Sequence, residues 1–494
     1  MVSKKPHNIL IIDLNNFARY PTLAIGYLVA PLRTAGFQVK VLSPLVHGVP
    51  AVERERPENA WDQVKRRIHF STHPAVIQMH DKLYKLHLWS ISRVHPKFIK
   101  ELNQTLKTGS IDAILVSAYV QYYPSIVAIG EQAKQQGVPF LLGGPIFNIP
   151  EITQEWLNIP GVSAIFGGEA DFLLPELVDD LIQGKDLMKY PGIFLPDGRT
   201  APPAPPLTAM DKLLIPDFSD FPWEYYTHRV IPVMTGRGCG WGACTFCSDV
   251  VSANGRTFRS RPVDAVLDEL EIQSERYNSR DFIFLDIKLN SSLAMWDGII
   301  KHFQERIPGG HWIGTVHVEG KGRNGLERDK LLAAREAGMM RISFGLESAS
   351  QELNQRMGKG TRIERTSQFI RDAYDAGISV RSTAMQGYPG ETAADLDSTA
   401  DFLRDHKTHL DRIHFSRFTP IPTTRFQTLY ESKPERFPGI TNITWDYRYA
   451  RGDYCYKPAT DRKYRQAKAR LLGIVHEINS KLLQDEAWQF DGLM

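Results

Sequence analysis

Cysteine is scarce in this chain, with four residues in 494. That is too few for a disulfide scaffold. No apolar run approaches the roughly 18 residues needed to span a membrane. The start, MVSKKPHNILIID, lacks the apolar core and small-residue cleavage site of a signal peptide. An excess of one charge is also missing: 59 basic against 56 acidic residues leave a net charge of +3. A surface for nucleic acid would need far more. No internal repeat of fixed period is found. These absences predict a cytoplasmic protein with reduced thiols, no membrane span and no nucleic-acid partner. With 42% hydrophobic and 23% charged residues the composition is that of a globular protein, long enough for about two to four domains.

The cysteines that are present are concentrated. Three lie in VMTGRGCGWGACTFCSD (Val233–Asp249), spaced Cys239-x4-Cys244-x2-Cys247 among glycines 236, 238, 240 and 242. Glycine permits positive φ and close backbone approach, so this loop can wrap tightly around a ligand. It follows the apolar run Val230–Met234. Three thiolates there predict a metal loop at the C-terminal end of a strand. Three ligands would leave one iron of a four-iron cluster open. Cys455 could instead complete a structural zinc site, and the loop alone does not choose between them.

Short apolar strands alternate with helical patterns on both sides of this loop, which predicts an α/β protein. In the first half, Asn8–Asp13, Phe37–Leu42, Ile111–Ser117, Pro139–Leu142 and Ala164–Phe166 read as strands of a doubly wound, Rossmann-like parallel sheet. Ligands of such sheets bind at the C-terminal strand ends. Those ends carry Asn15 and Asn16, Ser117–Tyr119, Gly143–Pro145 and Gly167–Glu169. His47–Gly109 reads as a helical insertion, with histidines 69, 73, 80, 87 and 95 on a solvated face. Tyr190–Pro222 holds eight prolines, a density that predicts an extended linker without regular structure. Six β-then-α units follow, with strands at Val230–Thr235, Asp281–Asp286, Trp312–His317, Met340–Gly345, Ser379–Met385 and Ile413–Phe418. Six units cannot close an eight-stranded barrel, so a partial (β/α)6 barrel is expected. Its strand ends carry the cysteines, Asp286, Asn290, Glu347 and Gly387–Glu391. The expected divisions are 1–189, a linker at 190–228, 229–426, and an aromatic, mainly helical region at 427–494 docked on the barrel.

From Val230 to about Phe426 the chain resembles the radical S-adenosylmethionine (SAM) superfamily. The likeness rests on the triple-cysteine loop, FGLES (Phe344–Ser348), GYPGET (Gly387–Thr392) and the intervening RMGKGTRIERTSQFIRDAYDAGISV. The upstream stretches YPTLAIGYLVAPLRTAGFQVKVLSP, ILVSAYV, VPFLLGGP and GVSAIFGGEADFLLPELV resemble the cobalamin-binding domain of cobalamin-dependent radical enzymes. Together they resemble the methylase-like branch of the cobalamin-dependent radical SAM enzymes. The x4-x2 spacing departs from the superfamily's usual x3-x2, and is known among cobalamin-binding members, notably ones acting on peptides. The Asp-x-His-x-x-Gly loop of many cobalamin domains is absent, and DLNNFARYP stands in its place. The expected cobalt therefore has no histidine ligand.

The resemblance implies a [4Fe–4S] cluster on Cys239, Cys244 and Cys247, with SAM on the open iron. It implies SAM contacts at Phe246, Asp286, Glu347, Ser348, Gly387 and Pro389. Cobalamin contacts are implied at Asn15, Asn16, Ser117, Tyr119, Gly143, Gly144, Gly167, Gly168 and Glu169. The implied reaction is methylation of an unactivated carbon of a peptide or natural product. A 5′-deoxyadenosyl radical would remove hydrogen and methylcobalamin would supply the methyl group, in an oxygen-sensitive enzyme reduced by a flavodoxin or ferredoxin. Alternatives are cyclisation, rearrangement or oxidation within the same branch, or a non-enzymatic zinc or iron–sulfur binding protein. Plainer roles also stand for single residues: Glu347 paired with Arg341 or Arg381, Asp286 and Asn290 as helix caps, Cys455 as a buried small residue. If the methylase reading holds, the two sets of strand ends should face each other across one cavity, with the two cofactors on the order of 10 Å apart.

Overall fold

The computed structural model describes residues 6–15, 20–49, 56–72, 79, 95–248, 258–456, 461–482, 485–490 and 493. Its first sheet is built from β1 (Asn8–Ile12), β2 (Gln38–Leu42), β3 (Ala113–Ser117), β4 (Phe140–Gly143), β5 (Ala164–Phe166) and β6 (Ile193–Phe194). The order is β2-β1-β3-β4-β5-β6, parallel except for β6. Continuous apolar runs such as NILII and AILVS suit strands covered on both faces. Ile9, Ile11 and Leu115 pack against the helices Leu23–Thr34 and Leu174–Ile182. Leu10, Ile114 and Phe140 pack against Pro96–Thr108, Tyr123–Gln136 and Pro150–Leu157. The strand order reverses between β1 and β3, and ligands of such sheets bind outside the strand ends at that point.

β6 corrects the expectation of a linker without regular structure. Its proline-free window, Gly192–Leu195, adds an antiparallel edge to β5. Farther on, Arg33 ties the linker to the first sheet by donating to Asp217 and Asp220, both at 2.7 Å. Of the histidine-rich insertion, the helices Ala60–His69 and Pro96–Thr108 are described. His73, His80 and His87 lie outside the described residues.

After β7 (Val230–Val233) the chain forms a two-stranded antiparallel ribbon, β8 (Gly236–Arg237) with β9 (Arg259–Ser260). Then come β10 (Asp281–Phe284), β11 (His311–Val316), β12 (Met339–Glu347), β13 (Ser379–Gln386) and β14 (Arg412–Arg417). With β7 these five make a second six-stranded parallel sheet in chain order. All six expected β-then-α strands are present. Phe282, Trp312 and Phe344 pack toward the crossover helices. On the other face Ile283, Ile313 and Met340 pack with Tyr20, Ala487, Phe490 and Leu493. The buried Arg341 donates to the carbonyls of Phe490, Leu493 and Ala487.

The last region is less helical than expected. Between the helices Arg425–Ser432 and Arg462–Asn479 lies an antiparallel hairpin, β15 (Ile440–Asp446) with β16 (Arg451–Tyr456). β-Branched and aromatic residues in ITNITWD and RGDYCY favour strands, and Ala450 turns the chain at φ +48°. The tip docks on the first sheet's helices. The Trp156 indole N–H donates to the Arg448 carbonyl at 3.0 Å, and the Arg448 guanidinium lies 4.9 Å from the Tyr123 ring centre. At the other end Tyr454 donates to the carbonyls of Gly387 and Phe418, and Tyr456 to that of Glu391. The hairpin thus touches both halves. Among the described residues no helix is long and apolar enough to cross a membrane.

Candidate active site

The C-terminal ends of the two sheets open on one cavity of about 560 Å³. Asn15, Ser117, Tyr119, Gly143, Gly144, Gly168 and Glu169 line it from the first sheet. Met234, Gly236, Arg237, Gly238, Leu285 and Ile287 line it from the second. The Gly143–Pro145 turn and the root of the cysteine loop therefore share a single space. No histidine stands among the described lining residues.

On the first-sheet side the polar groups are fixed in place. Asp13 is fully buried, and burial pushes its carboxyl up to about 6. It accepts from the Thr22 hydroxyl at 2.9 Å and the Asn15 amide at 3.1 Å. The Asn15 side chain donates to Thr22 and accepts from the Tyr122 hydroxyl at 3.0 Å. Asn16 lies outside the described residues. Gly144, at φ +143°, lets its turn lie directly on the Ala118 carbonyl, where a Cβ would clash. Gly167 corrects another expectation. It does not line the cavity but packs on the Phe147 carbonyl, where no side chain fits. Glu169 is at the wall, yet its carboxylate is committed to Arg237, Arg259 and the Leu207 amide.

The cysteine loop is held from several directions. Asp286, expected to touch SAM, instead accepts from the Thr235 amide and hydroxyl and the Gly236 amide, at 2.7 to 3.1 Å. Its carboxyl is pushed up to about 6 by burial. It anchors the loop's root, and its oxygens are spent. Asn290 is no cap either: it donates to the carbonyls of His317 and Asn324. Thr245 donates its amide and hydroxyl to the Met357 carbonyl, shares a 2.8 Å hydrogen bond with the Tyr388 hydroxyl, and accepts from the Phe426 amide. Trp241 donates to the Gly358 carbonyl at 2.9 Å and stacks on His317. Gly358 and Gly360, both at φ +71°, let the RMGKGT loop lie flush against the cysteine loop; a Cβ at either would meet Ala243 or Trp241.

Glu347 lies at the end of β12 at φ +60°, a conformation that costs a side-chain residue about 1–3 kcal/mol and gathers at functional sites. Its partner is neither Arg341 nor Arg381. It accepts from Lys359 Nζ at 2.9 Å, and both residues are buried. Burial opposes the Lys359 charge, but Glu347 and the neighbouring Cys244 and Cys247 hold it above its ordinary value. Burial pushes the Cys244 thiol up while Lys359 pulls it down. His317, at the end of β11, is driven down to about 3 by burial and by Lys359 and Lys288, and stays neutral. Neither Lys359 nor His317 was among the residues expected at the site; the lysine between two glycines in RMGKGT is the signal that the sequence carries.

Of the remaining expected SAM residues, Ser348, Gly387 and Pro389 are buried and Phe246 is half-buried. The Ser348 hydroxyl pairs with Thr399 and accepts from the Ser350 amide. The Gly387 amide donates to Glu391 at 2.8 Å, and Pro389 is buried in the same turn. Phe246 packs beside Met357, Tyr388 and Phe426.

The donor set fits a cluster. Cys239, Cys244 and Cys247 are partly exposed thiols on one glycine-rich loop, beside a buried ammonium. Among the described residues no three His, Cys, Asp or Glu side chains converge as a lone metal ion requires. Zinc would need thiolates about 2.3 Å from one point, whereas a cubane spreads its cysteines over separate irons. The first sheet's glycine turns and the cavity beyond them fit a large planar ligand at the switch point.

Residues 233–403 match the model of the radical SAM superfamily. An uncharacterised methyltransferase of Pyrococcus horikoshii is 27% identical over 336 residues, covering 66% of this chain and 70% of that protein. The structure of the radical SAM methyltransferase TsrM of Kitasatospora setae superposes with a TM-score of 0.67 at 18% identity, over 95% of this chain and 89% of that one. The cobalamin-dependent SAM radical enzyme OxsB gives 0.69 at 16%, over 94% of this chain and 66% of that one. Residues 233–403 are a radical SAM domain, set against a doubly wound parallel sheet in the fold that TsrM and OxsB share.

Proposed function

We propose that the enzyme is a cobalamin-dependent radical SAM methylase acting on an unactivated carbon of a peptide or natural product. The single observation that carries this is the shared cavity, on which the switch point of one sheet and the cysteine loop of the other both open. A methylase of this kind must reach one substrate from two cofactors, and reaction needs near-contact geometry.

Cys239, Cys244 and Cys247 would hold a [4Fe–4S] cluster, and the glycine turns at 143–144 and 168 would admit the corrin. Bound there, the cluster, SAM and cobalamin would supply one-electron cleavage of a sulfonium and a methyl group at cobalt. The protein orients and shields. Glu347, at the end of β12, would offer an acceptor to SAM hydroxyls, and Lys359 holds a positive charge beside the thiolates. Asn15, fixed by Tyr122 and Thr22, sets an amide at the corrin side of the cavity. Asp286 and Thr245 keep the cysteine loop from shifting. The reductant would be a flavodoxin- or ferredoxin-like donor, and reduced thiols suit the cytoplasm.

Protein purified without oxygen should carry iron, sulfide and corrinoid and should convert SAM to 5′-deoxyadenosine. A product heavier by one methyl group supports methylation; loss of hydrogens with no added carbon supports cyclisation or oxidation instead. A protein that takes up neither iron nor corrinoid would end the proposal.

A further inference from the structure

We infer that Asp171 and Arg237 are positioning residues that lock the root of the cysteine loop to the corrinoid-side sheet, and so set the alignment of the two cofactors. The inference rests on the cobalamin-dependent reading above. Arg237 lies in β8, two residues before Cys239. Its guanidinium grips Asp171 with both terminal nitrogens, at 2.8 and 2.7 Å, and reaches Glu169 at 3.1 Å. Across the ribbon Arg259 donates to Glu169 at 2.5 Å and to the Leu207 carbonyl at 2.7 Å. The Asp171 and Arg237 side chains are only 11% and 13% exposed. Arg237 also lies 5.4 Å from the Tyr27 ring centre, on the first sheet's opening helix.

The carboxylates come from the loop after β5 and the guanidiniums from the β8–β9 ribbon, so the network joins the two halves at the cavity wall. Its place in the chain matters most. Gly236 is held by Asp286 of its own domain, and the next residue is held by Asp171 of the other. The loop therefore leaves a point fixed to both sheets at once. A bidentate arginine–carboxylate pair fixes angle as well as distance, and a displacement near 1 Å can slow a positioned reaction by about a hundredfold.

The test uses full-length protein loaded with iron–sulfur cluster and hydroxocobalamin without oxygen. Asp171→Asn keeps the shape and removes the charge. Asp217→Asn, which removes one of the two carboxylates paired with Arg33 and touches neither Arg237 nor Asp171, is the control for general loosening. Three readouts are taken. The first is hydrogen exchange at 233–248 in cofactor-free protein. The second is magnetic coupling between reduced cluster and cob(II)alamin in electron paramagnetic resonance spectra. The third is methylation of chemically reduced cob(I)alamin by SAM, in which the cobalt electron pair takes the methyl group, the carbon–sulfur bond breaks and S-adenosylhomocysteine leaves.

Asp171→Asn should retain iron and corrinoid, speed exchange in the loop, alter the coupling and slow cobalt methylation by about 10- to 100-fold. Asp217→Asn should leave all three as in the wild type. If Asp171→Asn does not fold, Asp171→Glu, which keeps the charge on a longer arm, should shift the coupling in the same direction by less. Wild-type behaviour of the Asp171 variant, equal effects from Asp217→Asn, or loss of corrinoid binding in place of altered coupling would each overturn the inference. Failure of the wild type itself to bind corrinoid would instead defeat the reading on which it rests.

Discussion

Gly360→Ala tests whether the RMGKGT loop holds the cysteine loop in its binding shape. Three terms add. The backbone sits at φ +71°, a left-handed conformation costing an L-residue about 1–2 kcal/mol. A methyl group would overlap the Trp241 ring, so the indole must leave its hydrogen bond to Gly358, worth about 0.5–1.5 kcal/mol. The Trp241–His317 stack, at 5.8 Å between ring centres, goes with it, for about 0.5–1.5 kcal/mol. The total is roughly 2–5 kcal/mol, borne by two touching loops and not by either sheet. Far-UV circular dichroism should therefore be unchanged. Apparent iron affinity during anaerobic reconstitution should fall by at least about tenfold, at 1.4 kcal/mol per decade. Gly473→Ala is the contrast, because nothing lies within 4 Å of its added carbon in the helix Arg462–Asn479; it should stabilise by about 0.5–1 kcal/mol. Wild-type iron loading in Gly360→Ala, with hydrogen exchange at 233–248 also unchanged, would refute the docking argument.

Alanine at Cys239, Cys244 or Cys247 singly should abolish iron loading and SAM cleavage, measured by iron and 5′-deoxyadenosine assays; a dispensable loop cysteine would contradict the assignment. Asp286→Asn replaces an acceptor with a donor facing the Thr235 and Gly236 amides and should cost about 1–3 kcal/mol, read as lower cluster occupancy at limiting iron. Glu391 is buried beneath Tyr464 and the Gly387 amide, and burial holds its carboxyl up to about 8 against an ordinary 4.5. The folded chain keeps a proton there that the unfolded chain releases, so this group lowers stability as pH rises from about 4.5 to 8, and no further above that. Lys468, itself pushed down to about 8, is charged in both states over most of that range and does not cancel the slope. The melting temperature of Glu391→Gln should therefore gain on the wild type between about pH 5 and 8; a constant difference would count against a buried neutral acid. The cob(II)alamin form should show no nitrogen splitting from an axial base in its electron paramagnetic resonance spectrum, since no histidine stands among the described cavity residues.

The sheets were legible because parallel strands covered on both faces must be apolar throughout, and runs such as ILVS and FIFL can be little else. The cysteine triple was legible from spacing alone. Asp286 shows where such reading ends. Its position at a strand end suggested a ligand contact, but the amides it binds lie 50 and 51 residues earlier, and only folding brings them together. Ser348 shows the same, its hydroxyl pairing with Thr399 from 51 residues later. Lys359 reads as a solvated loop charge in the sequence. It is buried because Gly358 and Gly360 let its loop lie flat on Trp241, with Glu347 waiting below. The β15–β16 hairpin was hidden in aromatic, charged residues whose alternation is broken by a register shift between Thr441 and Thr444.

That hairpin also fixes an order of assembly. Residues 440–456 follow both sheets in the sequence, yet they reach back to Trp156 and Tyr123 on the first and to Gly387 and Glu391 on the second. On the ribosome both sheets can be complete while this clasp has not yet emerged. The indole N–H of Trp156 then lacks the Arg448 carbonyl and the ring of Tyr123 lacks the Arg448 guanidinium, and the halves are joined by one contact fewer. The tie that residues 440–456 make between the two halves therefore forms only after both sheets have been synthesised, so their mutual placement is completed late in the assembly of the chain.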